Sequence, residues 1–413
     1  HWCEDDNNLQ RYGWLEHDGE SFGVQEIVDG GLKLKTTFVK QESNDLGGQW
    51  TWRIDSQTLP ASNTSLYSFV VYFVVPSEGS SLSPVFDVSK GRSNHVIGMV
   101  GETKELGKFN VEISYPKKIF ASNYLVSKAT DVSVMSELII SSTGVMKVKS
   151  EHHDHYLGLV APTSEDGSTV IKPNVIAVQL TVTGGTSFEI IYRISLPDKN
   201  PNLSGPAFDA ELKAHRKRFE DKFESLFHLQ QKQYPTMYVD VAKYALSNML
   251  GSISYFHGHM AVQSTFTKKP VPYGPLTLFS GVPSRSFFPR GFLWDEGFHQ
   301  LLLRHWDANL SLSIVASWLD LMNVEGWIPR EVILGSEAVR KVPQEFIIQH
   351  NNVANPPMFF YLIDVMTTDK TFVEANRPLL QRIYPKLKMW FRWLNTTQAG
   401  KRPGTYRFET IFS

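Results

Sequence analysis

The first half of the chain consists of short runs in which apolar or β-branched residues alternate with polar ones. Such runs cover residues 32–39, 50–54, 68–75, 109–114, 170–182 and 188–194, with Gly, Asp and Ser between them. A period of two residues indicates strands, and regularly spaced short strands are typical of a sandwich rather than of βαβ units. No convincing helical period appears before residue 205. We therefore predict a β-sandwich domain over residues 1–197.

The pattern changes at residues 196–201, where Pro197 and Pro201 flank a polar centre. Prolines and polar residues between periodic segments mark a boundary. Beyond it, apolar residues recur three, four or seven positions apart among charged ones: Phe208, Leu212, Phe219, Phe223 and Leu226. This spacing predicts a single apolar stripe on a solvated helix. We expect a helical linker over residues 198–235.

Helical patterns continue from the linker to the end of the chain. They cover residues 237–256, 295–306, 310–324, 357–366 and 372–394, the last with Pro385 inside it, where a kink is expected. Together with the linker, this predicts about six helices. The last domain is expected to span residues 236–413.

Composition narrows the functional classes. The 413 residues carry a formal net charge of -1, which lacks the basic excess that a nucleic-acid partner requires. The longest apolar run, residues 66–75, is about half of the roughly 20 residues that span a bilayer, so it predicts a buried strand. No basic patch followed by an apolar stretch opens the chain, so we expect any signal or membrane anchor to lie outside it.

Cysteine usage and glycosylation sequons add little about the compartment. Cys3 is the single cysteine, so no disulfide can form within the chain. Four Asn-x-Ser/Thr sequons, at Asn63, Asn202, Asn309 and Asn395, permit N-glycosylation in a secretory compartment, although so short a motif also recurs by chance.

The densest candidate chemistry lies in SFFPRGFLWDEGFHQ at residues 286–300. Pro289 and Gly291 predict a helix start that places Asp295 and Glu296 in the first turn. Neighbouring helix residues point about 100° apart, so the two carboxylates serve different places. A glycosidase acid must be un-ionised, and the aromatic residues at 288, 292 and 294 would favour that form, whereas a nearby Arg290 would oppose it unless another carboxylate or sugar hydroxyls hold it. A helix start with dipole-compensating acids is the structural alternative.

Two further clusters follow on predicted loops. Residues 323–331 contain Trp327, Arg330 and Glu331, which could stack on a sugar and bond its hydroxyls; the alternative is a loop anchored by a buried Trp and a local ion pair. Residues 350–357 include Asn355, whose amide suits hydroxyl recognition, although Asn before Pro is also common in turns.

Histidine-rich segments suggest other chemistry only weakly. Residues 151–155 read Glu-His-His-Asp-His, but no second ligand cluster accompanies them, so a solvated loop is favoured over a metal site. His257 and His259 fit a helix end as well as a catalytic role. No phosphate loop, nucleophile elbow or zinc helix occurs, and we predict neither cofactor nor metal.

The 286–300 run resembles the signature of glycoside hydrolase family 63, the family of the eukaryotic processing α-glucosidases I. Further similar stretches are RYGW at 11–14, HDG at 17–19, FGVQE at 22–26, GWIPRE at 326–331 and ANPP at 354–357. The resemblance implies an inverting enzyme of the endoplasmic reticulum lumen that removes the terminal α-1,2-linked glucose from the triglucosylated high-mannose N-glycan precursor. It also implies a β-sandwich followed by an (α/α)6 toroid.

The resemblance also assigns roles to residues. Asp295 matches the family's general acid, and residues in the similar stretches are expected to line its glucose pocket: Arg290, Trp294, Trp327, Arg330, Glu331 and Asn355. An (α/α)6 toroid needs twelve helices, so about half is expected to be missing. The second catalytic carboxylate would then lie beyond Ser413, and we expect this chain alone to be inactive.

Two alternatives remain at the level of sequence. The first is a non-catalytic glycan-binding or regulatory fragment that retains half the pocket. The second is a trehalase-like (α/α)6 hydrolase, which the β-rich first half and the long signature around Asp295 disfavour.

Overall fold

The computed structural model describes most of the chain. The described residues are 11–29, 31–41, 48–60, 66–76, 78–87, 95–116, 118–129, 131–148, 154–160, 172–194, 202–284 and 287–407. They divide into two compact units, one up to Asp221 and one from Lys222 onward. We call them the β unit and the helical unit. The division falls within the predicted 198–235 linker.

Thirteen strands occur among the described residues of the β unit. They are β1 (Arg11–His17), β2 (Phe22–Asp29), β3 (Leu32–Gln41), β4 (Gln49–Thr58), β5 (Tyr67–Val74), β6 (Ser81–Phe86), β7 (Val96–Thr103), β8 (Gly107–Ser114), β9 (Ala121–Ser127), β10 (Thr143–Lys147), β11 (His155–Leu159), β12 (Val175–Val182) and β13 (Thr186–Ile194). An eight-stranded sheet has the order β1-β2-β3-β4-β13-β8-β7-β6. A three-stranded sheet has the order β5-β12-β9, and β10 pairs with β11.

The eight-stranded and three-stranded sheets share one apolar core. Ile54, Val111 and Ile190 from the larger sheet belong to the same buried cluster as Ile176 and Leu180 from β12. All eight residues of β12 are buried, because both its faces are covered and β5 and β9 pair with its two edges. The predicted β-rich first half is confirmed, with two sheets packed on a common core.

One short helix interrupts this unit. Helix α1 (Met135–Ser141) lies between β9 and β10 and buries Met135. The prediction of no helix before residue 205 was wrong here, because seven residues are too few to show a helical period.

Helix α2 (Gly205–Phe227) confirms the predicted helix and most of its apolar stripe: Phe208, Phe219 and Phe223 are buried, whereas Leu226 is 41% exposed. The first turns of α2 pack within the β unit. Arg53 of β4 pairs with Glu189 at 2.6 Å and with Asp209 at 2.5 Å. Its guanidinium carbon also lies 4.2 Å from the ring centroid of Phe208. His215 stacks on Phe22 with ring centroids 5.4 Å apart.

The helical region continues with seven helices in the described residues of the helical unit. They are α3 (Thr236–Gly251), α4 (Leu293–Trp306), α5 (Ala308–Leu319), α6 (Gly335–Arg340), α7 (Met358–Thr367), α8 (Lys370–Ala375) and α9 (Arg377–Thr397). The strands are β14 (Ser254–Gln263), β15 (Val271–Ser280), β16 (Gly291–Phe292), β17 (Glu331–Val332) and β18 (Ile348–His350).

Three predictions about these helices need correction. The helix expected over 237–256 ends at Gly251, and the β14–β15 hairpin follows it, so His257 lies on a strand rather than at a helix end. The helix expected over 372–394 is two helices that meet at Asn376, and Pro385 lies inside the second without ending it. The expected 310–324 helix ends at Leu319.

The core of the helical unit lies where the hairpin meets the helices. Its buried cluster draws on β14, β15, α4, α5, α7 and α9, with Trp318, Trp327, Trp390 and Trp393 as its largest members. In the part of the chain that the structure describes, no helix combines the length and apolarity needed to cross a bilayer.

Candidate active site

A two-residue strand pair joins the first two sequence clusters. Gly291 of β16 pairs with Val332 of β17, and Phe292 pairs with Glu331. The N–H of Leu293 donates to the carbonyl of Arg330 at 2.9 Å, which ties the start of α4 to the second cluster. Gly291 is required here, because a Cβ at this position would lie 2.5 Å from Leu278 Cδ2 and 2.8 Å from Trp318 Cζ2.

A buried tryptophan joins the second cluster to the third. Trp327 is 1% exposed, and its indole Nε1–H donates to the carbonyl of Val353 at 3.1 Å. Asn323 Oδ1 accepts from the N–H groups of Glu325 and Trp327, which closes the loop that carries the ring inward. The expected sugar contact of Trp327 is therefore corrected: no ring face is available, and the side chain anchors its loop.

The third cluster also contacts the first. A Cβ on Gly297 of α4 would lie 2.3 Å from Met358 Cβ, so α4 and the start of α7 touch at this glycine. Asn355 is partly buried in the stretch just before α7. Contacts between residues 26 to 61 positions apart in sequence therefore link the three clusters around the first turns of α4.

The two adjacent carboxylates of α4 have opposite environments. Glu296 is 0% exposed, whereas Asp295 is partly exposed. Trp294 is 42% exposed, and its ring lies edge-on to that of Phe298, with centroids 5.7 Å apart. Asp295 therefore has access to solvent and follows the exposed Trp294 in sequence, whereas Glu296 points into the protein.

Arg290 is held by Glu331. The guanidinium is buried, and its Nε–H donates to Glu331 Oε2 at 3.1 Å. The guanidinium carbon lies 4.8 Å from the Phe292 ring centroid and 5.5 Å from that of Phe288. Arg330 Nη2 also approaches Glu331, at 3.9 Å from Oε1. The sequence left open whether another carboxylate or sugar hydroxyls would hold Arg290; in the structure the carboxylate of Glu331 holds it.

Glu296 is held by partners that sequence analysis missed. Ser280 Oγ–H donates to Oε2 at 2.5 Å, and Gln300 Nε2–H donates to Oε1. Trp318 Nε1–H in turn donates to Ser280 Oγ at 3.2 Å. Gln300 follows Glu296 by one helical turn, a spacing that does indicate contact. Ser280 and Trp318 carried no such signal.

His299, whose side chain is 22% exposed, lies beside this buried group. Its Nδ1 lies 3.8 Å from Glu296 Oε2, too far for a hydrogen bond but close enough for a strong charge interaction. Burial by itself would lower the pKa of His299, but Glu296 and, to a lesser extent, Asp295 outweigh it and raise the pKa above 6.5. A protonated imidazole at this position would balance the charge of an ionised Glu296.

The described residues contain no group of three or more His, Cys, Asp or Glu side chains arranged to hold a metal ion. Residues 151–153 of the histidine-rich segment lie outside the described residues. The first turns of α4 present one partly exposed carboxylate, Asp295, and two exposed aromatic rings, Trp294 and Phe298.

Two family profiles match the chain. The Glycosyl hydrolase family 63 C-terminal domain matches residues 203–410, and the Glycosyl hydrolase family 63 N-terminal domain matches residues 1–156. Alpha-glucosidase 2 of Arabidopsis thaliana is 34% identical, over 98% of this chain and 53% of that protein. Mannosyl-oligosaccharide glucosidase GCS1 of Arabidopsis thaliana is 32% identical, over 98% and 49%.

A fungal protein gives the same picture. Mannosyl-oligosaccharide glucosidase of Saccharomyces cerevisiae is 28% identical, over 97% of this chain and 57% of that protein. The chain thus spans about half the length of the curated relatives it matches.

Proposed function

Because the chain belongs to glycosyl hydrolase family 63, we propose that it provides the proton-donating part of an inverting exo-α-glucosidase. Its substrate would be the triglucosylated N-glycan precursor, from which the terminal α-1,2-linked glucose is removed. The observation that carries the proposal is the contrast on α4: Asp295 is partly exposed beside Trp294, whereas Glu296 is buried. Only Asp295 can reach a glycosidic oxygen.

The surroundings of Asp295 support a sugar ligand. Phe288, Trp294 and Phe298 each expose more than a third of their surface, and flat rings of this kind pack against sugar faces. Glu331 and Arg330 lie at the strand pair next to α4 and are expected to bond sugar hydroxyls, with Asn355 as a third candidate. Arg290 holds Glu331 in place.

The acid requires a partner. Inverting hydrolysis needs a second carboxylate, roughly 6.5 to 9.5 Å from the first, to activate water. We place that base in the part of the family's sequence that corresponds to positions beyond residue 413. On this proposal residues 236–413 form the first part of an (α/α)6 toroid, and the chain alone does not turn over substrate.

An apolar groove on the last three helices supports the proposal that further toroid helices follow. A groove of about 460 Å³ lies between α7, α8 and α9, and its lining is mostly apolar: Ile363, Thr367, Val373, Arg377, Leu380, Gln381, Ile383, Tyr384 and Leu387. Tyr384 and Phe391 of α9 are also more than half exposed. Exposed apolar surface of this kind marks a contact site, and a following pair of toroid helices would cover it.

The compartment follows from the proposed substrate. We infer that the protein acts in the lumen of the endoplasmic reticulum, with any membrane anchor outside this chain. Asn309 is exposed near the start of α5 and Asn395 is partly buried near the end of α9, whereas Asn63 lies outside the described residues. Digestion with an N-glycan-specific endoglycosidase would lower the mass of the natural protein if these sequons are occupied.

The test is Asp295→Asn in the complete enzyme, meaning this chain together with the carboxy-terminal part that the relatives carry. Loss of turnover by about 10²- to 10⁴-fold with glycan binding retained supports the acid role. Asp364→Asn, on the exposed side of α7, is the matched control and should keep full turnover. Full turnover of Asp295→Asn would reject the role. If the complete wild-type protein binds the glycan but never releases glucose, the alternative of a non-catalytic glycan-binding protein is favoured instead.

A further inference from the structure

Glu296 is a buried carboxylate that accepts hydrogen bonds on both oxygens. Its side chain is 0% exposed; Ser280 donates to Oε2 and Gln300 donates to Oε1. The Ser280 hydrogen has a second acceptor, the carbonyl of Gly281 at 2.9 Å, but the shorter contact is to Glu296. A carboxylate that only accepts has the hydrogen-bonding pattern of the ionised form. A buried anion also requires a counter-charge.

His299 provides that counter-charge. Among the described residues it is the one ion-pair partner of Glu296, with Nδ1 at 3.8 Å from Oε2. This buried nitrogen makes no hydrogen bond within the described residues, so the interaction is one of charge. The raised pKa of His299 agrees with this pairing. Gly281 leaves the necessary room, because a Cβ there would lie 3.0 Å from His299 Nδ1 and 3.3 Å from Glu296 Oε2.

We propose that protonated His299 and Glu296 form a buried charge pair that positions Asp295, so that loss of the His299 proton lowers turnover without lowering glycan affinity. The proposal rests on the proposed function. Adjacent helix residues point about 100° apart, so the inward anchoring of Glu296, together with the buried Leu293 and Gly297, fixes the rotation of the first turns of α4 and with it the direction of Asp295. Neither His299 nor Glu296 needs to touch the substrate, and both act as positioning residues.

Deprotonation of His299 would remove the counter-charge from a carboxylate that has no access to water. A buried charge without a partner is strongly unfavourable, so the first turn of α4 would shift to relieve it. Asp295 is the other charged residue facing the pair from α4, and the Arg290–Glu331 pair lies at β16–β17. The groups in contact with the pair from β15, the loop after it and α5 are uncharged: Ser280, Gly281 and Trp318. Helix α3 also packs on α4 and carries Asp240 and Lys243.

The first experiment does not depend on activity. The imidazole resonances of His299 are titrated by NMR in this chain and assigned with His299→Gln. We expect the titration midpoint to lie above 6.5 and to fall to 6.5 or below in Glu296→Gln and in Gly281→Ala, since one loses the charge and the other separates the pair. His257→Gln, which replaces an exposed residue of the same unit, should leave the titration midpoint of His299 unchanged. An unchanged midpoint in Glu296→Gln would show that no charge pair exists.

The second experiment measures kcat, glycan Kd and their pH dependence in the complete enzyme. His299→Gln should lower kcat about 10- to 100-fold, as expected for a misplaced catalytic group, and should change the glycan Kd less than about twofold. The decrease of kcat at alkaline pH that His299 causes in the wild type should be absent from this variant. The double variant Glu296→Gln/His299→Gln should recover part of kcat, because neither charge is then left alone. A kcat and pH profile like the wild type in His299→Gln, or equal losses in the single and double variants, would overturn the proposal.

The two proposals fail in distinguishable ways. If Asp295→Asn keeps full turnover, the proposed function is rejected and the positioning role with it, whatever the NMR titration shows. If Asp295→Asn is inactive but His299→Gln keeps the wild-type pH profile, the proposed function stands and only the positioning role is rejected.

Discussion

The β unit and the helical unit neutralise their buried carboxylates differently. In the β unit, Glu26 pairs with Arg11 at 2.5 Å and Lys33 at 2.7 Å, and Glu189 pairs with Arg53. In the helical unit, Glu296 has two neutral hydrogen-bond donors and a histidine. Arg and Lys stay charged at every physiological pH, whereas His does not. The β unit therefore has permanent pairs, and the candidate site has one that can be switched by protons.

The pKa directions follow from this difference. Burial by itself would raise the pKa of Glu26, but its hydrogen bonds and charge interactions with Lys33 and Arg11 outweigh burial and lower it. The histidines diverge too: burial lowers the pKa of His17 in the β unit to about 4 despite the charge of Asp18, whereas carboxylates raise that of His299. Charged side chains stabilise paired strands in the β unit and, in the helical unit, set the electrostatics of the candidate active site.

The largest expected effect comes from removing the buried carboxylate of the helical unit. Glu296→Ala would leave His299, Ser280 and Gln300 without their shared partner, at a cost of about 3–5 kcal/mol in the free energy of unfolding. Denaturant titration measures the loss of stability, and hydrogen exchange should show that the amides of α4 and α5 lose protection. A loss below about 1 kcal/mol would show that the network contributes little stability.

A smaller effect is expected from added methyl groups at close contacts in each unit. Gly297→Ala places a Cβ 2.3 Å from Met358 Cβ, and Gly98→Ala places one 2.4 Å from the Val111 carbonyl oxygen. Each should cost about 1–3 kcal/mol, and for Gly297 this exceeds the helix-propensity gain of about 1 kcal/mol. Thermal unfolding measures both. Gly79→Ala is a poor control because φ is +68°, whereas Ala245→Ser on the exposed side of α3 adds volume without a clash.

Acid and alkali should weaken different units. The folded pKa of His17 lies below its unfolded value, so its stability contribution is present above pH 6.5 and is lost as the pH falls towards 4. The folded pKa of His299 lies above 6.5, so its contribution is complete below that value and is lost as the pH rises through the folded pKa. Because His17 is partly exposed, we expect about 1–2 kcal/mol from it.

The free energy of unfolding of each unit is measured from pH 4 to 9 in the wild type and in the His17→Gln and His299→Gln variants. His17 Nδ1 accepts from the N–H of Gly19 at 2.9 Å, so Gln preserves an acceptor while removing the titration. His155→Gln, exposed on β11, is the control and should leave both profiles unchanged. Loss of β-unit stability on the alkaline side in the wild type would contradict the assignment.

The smallest effect should come from a permanent pair in the β unit. Arg11 and Lys33 keep 51% and 37% of their side-chain surface exposed, so water can replace Glu26 as their partner. Glu26→Gln should therefore cost about 1 kcal/mol or less in the free energy of unfolding, measured by urea titration. A cost equal to that of Glu296→Ala would remove the contrast between the units.

Most of the fold could be predicted from local pattern. The β-rich first half, the stripe of α2 and the start of α4 after Pro289 and Gly291 follow from periodicity and from residues that break helices. The β14–β15 hairpin was not predicted, because Ile253, Tyr255 and Phe256 continue the apolar character of α3 beyond the break at Gly251 and Ser252. Its pairing with β18, more than 80 residues away, is a tertiary matter.

Within the site, helix geometry alone requires the carboxylates of Asp295 and Glu296 to face different directions, because a helix turns about 100° per residue. Family resemblance pointed to Asp295 as the acid. Which of the two is buried depends on packing: Ser280 of β15 holds Glu296, and Trp318 of α5 holds Ser280. The burial of Trp327 was decided in the same way. A side chain's access to water depends on the elements packed over it, and local sequence does not record them.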